Sequence, residues 1–286
     1  MSLDLSVIVP CHNEAATLPE QLDALTAERW DGSWEIVVVD NNSTDATATI
    51  AASYAEGPVP VRIVTANDGA SVGYARNAGA ATSTARSIAF CDGDDVVRPG
   101  WVAAMGEALR DADLVVGTLT AEHVNAPELA ATRPMGGADA LPHFGPVPFA
   151  RGNNAGMRRT LWADLGGFAE GYRGLEDIEF SLRAAAAGVE PVLVPDATIA
   201  YRFRTGLGDV WRQGQFYGFG RPKLAKQAAS LGLPTPSRFG GLKSWVALVT
   251  TLPRLVTRPG RFGWVWILAN RIGSLKGAVH ARYLFV

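Results

Sequence analysis

Five short β-branched runs, LSVIVP (5–10), EIVVVD (35–40), VRIVT (61–65), SIAFCD (87–92) and DLVVG (113–117), recur along the first part of the chain without apolar–polar alternation. A strand with one wet face alternates, so unbroken runs of this length belong to strands covered on both faces. The stretches between them, EAATLPEQLDALTAE, DATATIAASYA, ASVGYARNAGAATS and GWVAAMGEALRD, are Ala-rich and long enough to form crossover helices. Strands joined in this way make a parallel sheet with right-handed connections, which sets the class as α/β.

Beyond residue 117 the regularity stops. Pro127, Pro134, Pro142, Pro146 and Pro148 interrupt any long element, and an irregular connection over the sheet edge is expected there. Helical signals return at RRTLWADLGGF and EDIEFSLRAAAAG, with Gly188 as a stop, and PVLVP and TIAYRF read as two short closing strands. In the tail, Trp245, Leu248, Val249, Leu252 and Val256 recur at helical spacing, as do Val265, Leu268, Ile272, Leu275 and Val279, with Pro259-Gly260 between the two patterns.

Ligands of an open parallel sheet bind beyond the carboxyl ends of its strands. That rule gathers Pro10, Cys11, His12, Asn13 and Glu14 after the first run, Asp40 and Asn42 at the second, and Asp92, Gly93, Asp94 and Asp95 at the fourth. Asp92 and Asp94 can reach a divalent cation and a ribose hydroxyl, and Gly93 lets backbone approach a phosphate. Oxygen ligands with an incomplete protein shell suit Mg²⁺ or Mn²⁺ completed by a diphosphate. The same acids also suit a solvated turn, with Asp95 capping the next helix and Pro99 near its first turn. Glu176 and Asp177 fit the acidic first turn of a helix, and Glu179 with Arg183 an i,i+4 pair. Arg151, Gly152 and Asn153 either shape a pocket or form a polar turn. The four histidines lack zinc-ligand spacing.

SVIVPCHNEAATLPEQLDAL, EIVVVDNNSTDAT, GYARNAGAATSTARSIAFCDGDD, RGNNAGMRRTLWADLGGF and GLEDIEFSLRAAAAG together resemble, in order and spacing, the family-2 glycosyltransferases of GT-A fold. The resemblance covers about residues 5–204 and implies a nucleotide-diphospho-sugar transferase fold, a mostly parallel sheet flanked by helices. It implies a nucleotide-sugar-binding half at about 1–117, an acceptor half at about 118–208, and a basic helical extension over 209–286 outside it. By the same resemblance, Asp40 binds nucleobase or ribose, Arg76 helps bind the nucleotide, Asp92 contacts ribose, and Asp94 holds Mg²⁺ or Mn²⁺ on the diphosphate. Pro10, His12, Asn13, Glu14, Asn42, Gly93, Asn153 and Glu176 line that site. The family is inverting, and Asp177 matches the base that deprotonates the acceptor. Many relatives place a histidine metal ligand near TIAYRFR, where this chain has Tyr201, Arg202, Phe203 and Arg204, so either the metal is held more loosely or Arg202 and Arg204 take part of the diphosphate charge; strand packing with salt bridges on its rim is the alternative.

Charge is divided unevenly. Residues 1–209 hold 28 acids against 14 Lys and Arg, while residues 210–286 hold 12 Lys and Arg and no acid. Such a tail expects an anionic partner, and its amphipathic patterns favour a membrane surface over nucleic acid. The acceptor is then a lipid-linked molecule or a glycan. Packing of the tail on the rest of the chain, or dimerisation, is the alternative. Two cysteines and the absence of a basic, apolar leader in MSLDLSVIVP point to the cytoplasm. Rival readings are another nucleotide-binding enzyme, a nucleotidyltransferase or oxidoreductase, and a non-catalytic nucleic-acid or membrane module. Neither G-x-G-x-x-G nor G-x-x-x-x-G-K-[ST] occurs.

Overall fold

The computed structural model describes residues 3–132, 140–172 and 174–285. Pro134 lies outside them. The chain divides into two compact units, one of residues 1–120, 137–142 and 148–201, the other of 121–136, 143–147 and 202–286.

The first unit is built on one sheet. Leu5–Cys11 (β1), Trp34–Asp40 (β2), Val61–Thr65 (β3) and Ser87–Cys91 (β4) pair in parallel in the order β3-β2-β1-β4. Val96–Val97 (β5), Leu114–Thr120 (β6), Asn154–Arg158 (β9) and Val192–Ala200 (β10) extend it as β4-β9-β6-β10-β5, while His143–Phe144 (β7) and Val147–Pro148 (β8), all but Pro148 within the second unit, make a separate ribbon. β9 is antiparallel to both of its neighbours, and β5 is antiparallel to β10. Sequence patterning assigned no strand to 154–158, and it split β10 in two. β10 is one strand whose register slips between Val194 and Thr198.

Leu18–Ala27 (α1), Thr47–Ser53 (α2), Val72–Thr82 (α3) and Trp101–Asp111 (α4) connect the early strands, and Arg159–Asp164 (α6) and Glu176–Ala186 (α7) follow β9. Both faces of the sheet are covered, as the unbroken apolar runs require. Val7, Val9 and Ile36 pack with Leu22 of α1 and Met105 of α4. Ile8, Val37 and Phe90 pack with Ala75 of α3 and Phe180 of α7. Each fully buried aliphatic or aromatic side chain of this kind is worth about 1.5–3 kcal/mol against exposure.

The second unit holds Pro127–Ala130 (α5), Leu207–Ser230 (α8), Leu242–Thr250 (α9), a 3₁₀ turn over Leu252–Val256, and Arg258–Ala281 (α10). Pro259 and Gly260 do not separate helices. They occupy the first turn of α10, where a missing N–H costs nothing, and Thr257 caps it by accepting from the Gly260 N–H at 3.1 Å. α8, which the tail periodicity did not announce, runs alongside α10 with glycines at the contact. A Cβ at Gly218 would stand 2.2 Å from Asn270 O, and one at Gly277 2.1 Å from Phe219 O. No helix among the described residues is long and apolar enough to cross a membrane.

Candidate active site

Four loops meet at the carboxyl ends of β1–β4 and tie one another down. His12 Nδ1 lies 2.7 Å from Asn41 O, and Asn13 Oδ1 accepts from the Thr44 N–H at 2.7 Å. The Asn41 side chain donates to Gly69 O at 2.7 Å, and Asn42 donates to the same oxygen at 2.8 Å. Asn13 and Asn42 are left-handed, with φ of 56° and 58°, a conformation asparagine tolerates better than most residues. Asp40 is buried at the strand end and accepts from the Ser43 N–H at 3.3 Å. Pro10 lies within β1, in register with Val39.

Next to this platform, single oxygens of Asp92, Asp94 and Asp95 all lie within 4.8 Å of one another. The turn that carries them is held from α1, where the buried Gln21 donates to Asp92 O at 3.0 Å and accepts from the Val97 N–H at 2.9 Å. Asp95 does not cap a helix: α4 begins after Gly100, and the amides of Gly100 and Val102 go to Glu28, each at 2.9 Å. Asp95 instead accepts from Asn153 Nδ2 at 2.9 Å. Gly93 has no room for a side chain, since a Cβ would fall 2.0 Å from Glu14 Oε2. That oxygen is buried without a partner. Burial, with Asp94 and Asp92 beside it, pushes the Glu14 carboxyl up to about 9. Three carboxylates and an orphaned fourth oxygen form a hard donor set that fits a divalent cation.

Arg76 is buried on α3 between two acids, donating to Asp92 Oδ1 at 2.7 Å and to Glu176 Oε1 at 2.6 Å, with its guanidinium 5.9 Å from the centre of the Phe168 ring. Burial opposes its charge, but Asp92 and Glu176 raise its pKa on balance. Gly152 makes room for it, because a Cβ there would stand 2.3 Å from Arg76 Nη1. The same glycine donates its N–H to Asp177 Oδ2 at 2.9 Å. Glu176 is buried and Asp177 half-buried, and desolvation raises both carboxyls. Glu179 and Arg183 form the expected i,i+4 pair at 2.7 Å.

The sequence reading thus finds Asp92, Gly93, Asp94, Glu14, Asn153, Arg76, Glu176 and Asp177 in one connected neighbourhood, with His12, Asn13, Asp40 and Asn42 in the adjoining loops. Asp95 and Gly152, which the sequence offered either for the site or for a turn, also belong to it, and Gln21 is a member that the sequence did not indicate. Gln21 acts through contacts with Asp92 O and the Val97 N–H that no local pattern shows. Arg202 and Arg204 fall in the second unit, where Arg202 Nη1 donates to Val124 O at 3.3 Å.

The family model of Glycosyl transferase family 2 matches residues 6–166, and that of Glycosyl transferase family group 2 matches 87–275. The chain belongs to glycosyl transferase family 2.

A pre-mycofactocin glycosyltransferase of Mycobacterium tuberculosis is 26% identical over 266 residues, 89% of this chain and 55% of that protein. A dodecaprenyl-phosphate galacturonate synthase of Rhizobium johnstonii is 35% identical over 122 residues, 41% of this chain and 36% of its own. The chain therefore spans little more than half, or less, of these curated relatives. In fold it is similar to the mannosyltransferase PcManGT of Pyrobaculum calidifontis, solved in complex with GDP-Man and Mn²⁺, with a TM-score of 0.63 and 20% identity over 96% of this chain and 88% of that one. As a family-2 member of GT-A-like fold, the chain has the strand-end loops and the acid cluster within the family match, while residues beyond 275 fall outside both matches.

Proposed function

We propose that this chain transfers a sugar, with inversion, from a nucleoside-diphosphate donor to an acceptor hydroxyl or phosphate. The observation that carries this reading is the trio Asp92, Asp94 and Asp95 in the neighbourhood of a half-buried Asp177 oriented by the Gly152 N–H. Asp94 and Asp92, with Asp95, would hold Mg²⁺ or Mn²⁺, which when bound neutralises charge on the leaving diphosphate. The cation complex of PcManGT supports the assignment by analogy.

Asp177 supplies the base. Desolvation lifts its carboxyl above the ordinary range, which brings it nearer the proton affinity useful at neutral pH. With a hydroxyl acceptor its oxygen takes the acceptor proton as the acceptor oxygen bonds to the anomeric carbon and the bond to the diphosphate breaks on the opposite face; a phosphate oxyanion attacks the same carbon with no proton to give up. Arg76 positions Asp92 and keeps Glu176 from competing as the base, because Glu176 is committed to the buried ion pair. Asp40, His12, Asn13 and Asn42 line the nucleoside side of the crevice in this reading.

α9 and the following turn leave Leu242, Val246, Val249, Leu252 and Val256 between 48% and 85% exposed, in a tail with 12 basic residues and no acid. Large apolar side chains in a basic helical segment are suited to the headgroup region of an anionic bilayer. A relative named for a dodecaprenyl-phosphate product makes a lipid-linked acceptor the preferred class.

The test is release of nucleoside diphosphate from UDP-, GDP- and dTDP-sugars, with and without Mn²⁺ or Mg²⁺, since water can replace the acceptor slowly. Cation-dependent release from one donor, lost in Asp94→Ala, is the expected result. Release from none of them, or equal release in EDTA, overturns the reading.

A further inference from the structure

Arg221 of α8 and Arg271 of α10 face one cavity of about 250 Å³ inside the second unit. Ser237, Ser244 and Phe285 complete much of its wall, together with Gly241, the residue from which the nine-residue helix α9 starts. Arg271 is only 6% exposed. Neither guanidinium has a hydrogen bond or ion pair among the described residues. Arg76 shows the ordinary alternative, a buried arginine with a carboxylate on either side. No Asp or Glu side chain follows Asp209 in the sequence, and Asp209 pairs with Arg212.

A buried arginine beside a half-buried one, like charges without counter-ions, is costly unless something absent from the chain compensates them. Burial lowers both guanidinium pKa values, and Arg271 lowers that of Arg221 further, which is the mark of mutual repulsion. The missing group has to carry about two negative charges and several acceptor oxygens. Planar guanidinium forks match phosphate oxygens two at a time, hydroxyls of Ser237 and Ser244 suit the remaining oxygens, and the start of α9 adds the positive end of a helix dipole.

We infer that this cavity binds a phosphate dianion, the terminal phosphate of a monoester or free phosphate itself. The site is independent of the donor site proposed above. It has room for the phosphate and the first atoms of an ester. Two sources carry that chemistry, a soluble phosphate and the headgroup of a phosphomonoester lipid.

The experiment uses the full chain in EDTA, so that cation-dependent nucleotide binding is silent. Thermal unfolding is followed while inorganic phosphate replaces chloride at constant ionic strength, and ³¹P line broadening reports direct binding. The parent and Asp94→Ala should gain melting temperature with the logarithm of phosphate concentration, as mass action requires for a ligand of the folded state. Arg221→Gln and Arg271→Gln should gain none, and without phosphate Arg221→Gln should melt no lower than the parent. Flotation with phosphatidylcholine vesicles doped with phosphatidic acid, against phosphatidylglycerol as a diester control, separates the sources. Preference for phosphatidic acid that is lost in Arg221→Gln identifies a headgroup, and a phosphate response without that preference identifies a soluble ligand. If neither inorganic phosphate nor phosphatidic acid distinguishes the parent from Arg221→Gln, the inference fails. A clear loss of stability in phosphate-free Arg221→Gln also overturns it, because that would reveal a partner within the chain.

Discussion

Arg76 sits at the centre of the site's charge balance, with Asp92 at 2.7 Å and Glu176 at 2.6 Å, so removing it strands a buried carboxylate. Arg76→Met should cost about 3–5 kcal/mol, the usual penalty for breaking one side of a buried pair, read from denaturant midpoints. A loss below ~1 kcal/mol would show that the pair is solvated. Asp177→Asn keeps the shape and the Gly152 contact but cannot accept a proton. Transfer should fall about 10²-fold or more, with donor affinity little changed. Near-parent turnover with a verified acceptor would remove Asp177 from the base role. Glu14 gives a pH prediction. Its carboxyl rises from 4.5 to about 9 on folding, so the folded state holds a proton that the unfolded chain has lost, and stability declines as pH rises through that window. Glu176, raised to about 7, shares only the lower part. In metal-free protein, Glu14→Gln should flatten the decline above pH 7, and an unchanged slope would contradict the assignment.

At the scale of elements, glycine decides how closely α8 and α10 approach. Gly214 and Gly218 on one helix, and Gly273 and Gly277 on the other, bring backbones together where a Cβ would stand 2.1–2.8 Å from the partner. Gly218→Ala and Gly277→Ala should each destabilise by about 1–3 kcal/mol through overpacking, despite alanine's better helix propensity. Gly263 is the control. It lies on α10 with nothing within 4 Å of the place a Cβ would take, so Gly263→Ala should stabilise by up to about 1 kcal/mol. Equal effects at all three positions would refute close packing as the reason for these glycines.

For the whole molecule, the division of charge has a physical consequence outside the fold. If the apolar face of α9 enters anionic bilayers, the chain should float with phosphatidylglycerol-containing vesicles and far less with neutral ones. Val246 and Val249 are 62% and 68% exposed, so Val246→Asp combined with Val249→Asp should abolish flotation while leaving the melting temperature within a degree or so of the parent. Unchanged flotation of the double variant would remove this face from the membrane reading.

The α/β class, the order of the first four strands' crossovers and the acidic turn after β4 were legible locally, because buried strands, helix periods and clustered like charges each leave a short-range signature. β9 was not legible: NAGMR carries no strand pattern, and it becomes a strand because β4 and β6 both need a partner there. The buried Asn154 fixes its start, its amide donating to Thr118 O at 2.7 Å and Ala197 O at 3.0 Å. α8 was hidden for a related reason, since its contact face is glycine and not an apolar stripe. At the site, residue types and strand ends could be read from sequence, but pairings could not. Sequence alone determined which side chains can ionise and where the chain turns. Only the tertiary structure decided that Arg76 is buried between Asp92 and Glu176, residues 16 and 100 positions away, because ion pairing depends on distance in space and on the water excluded around it.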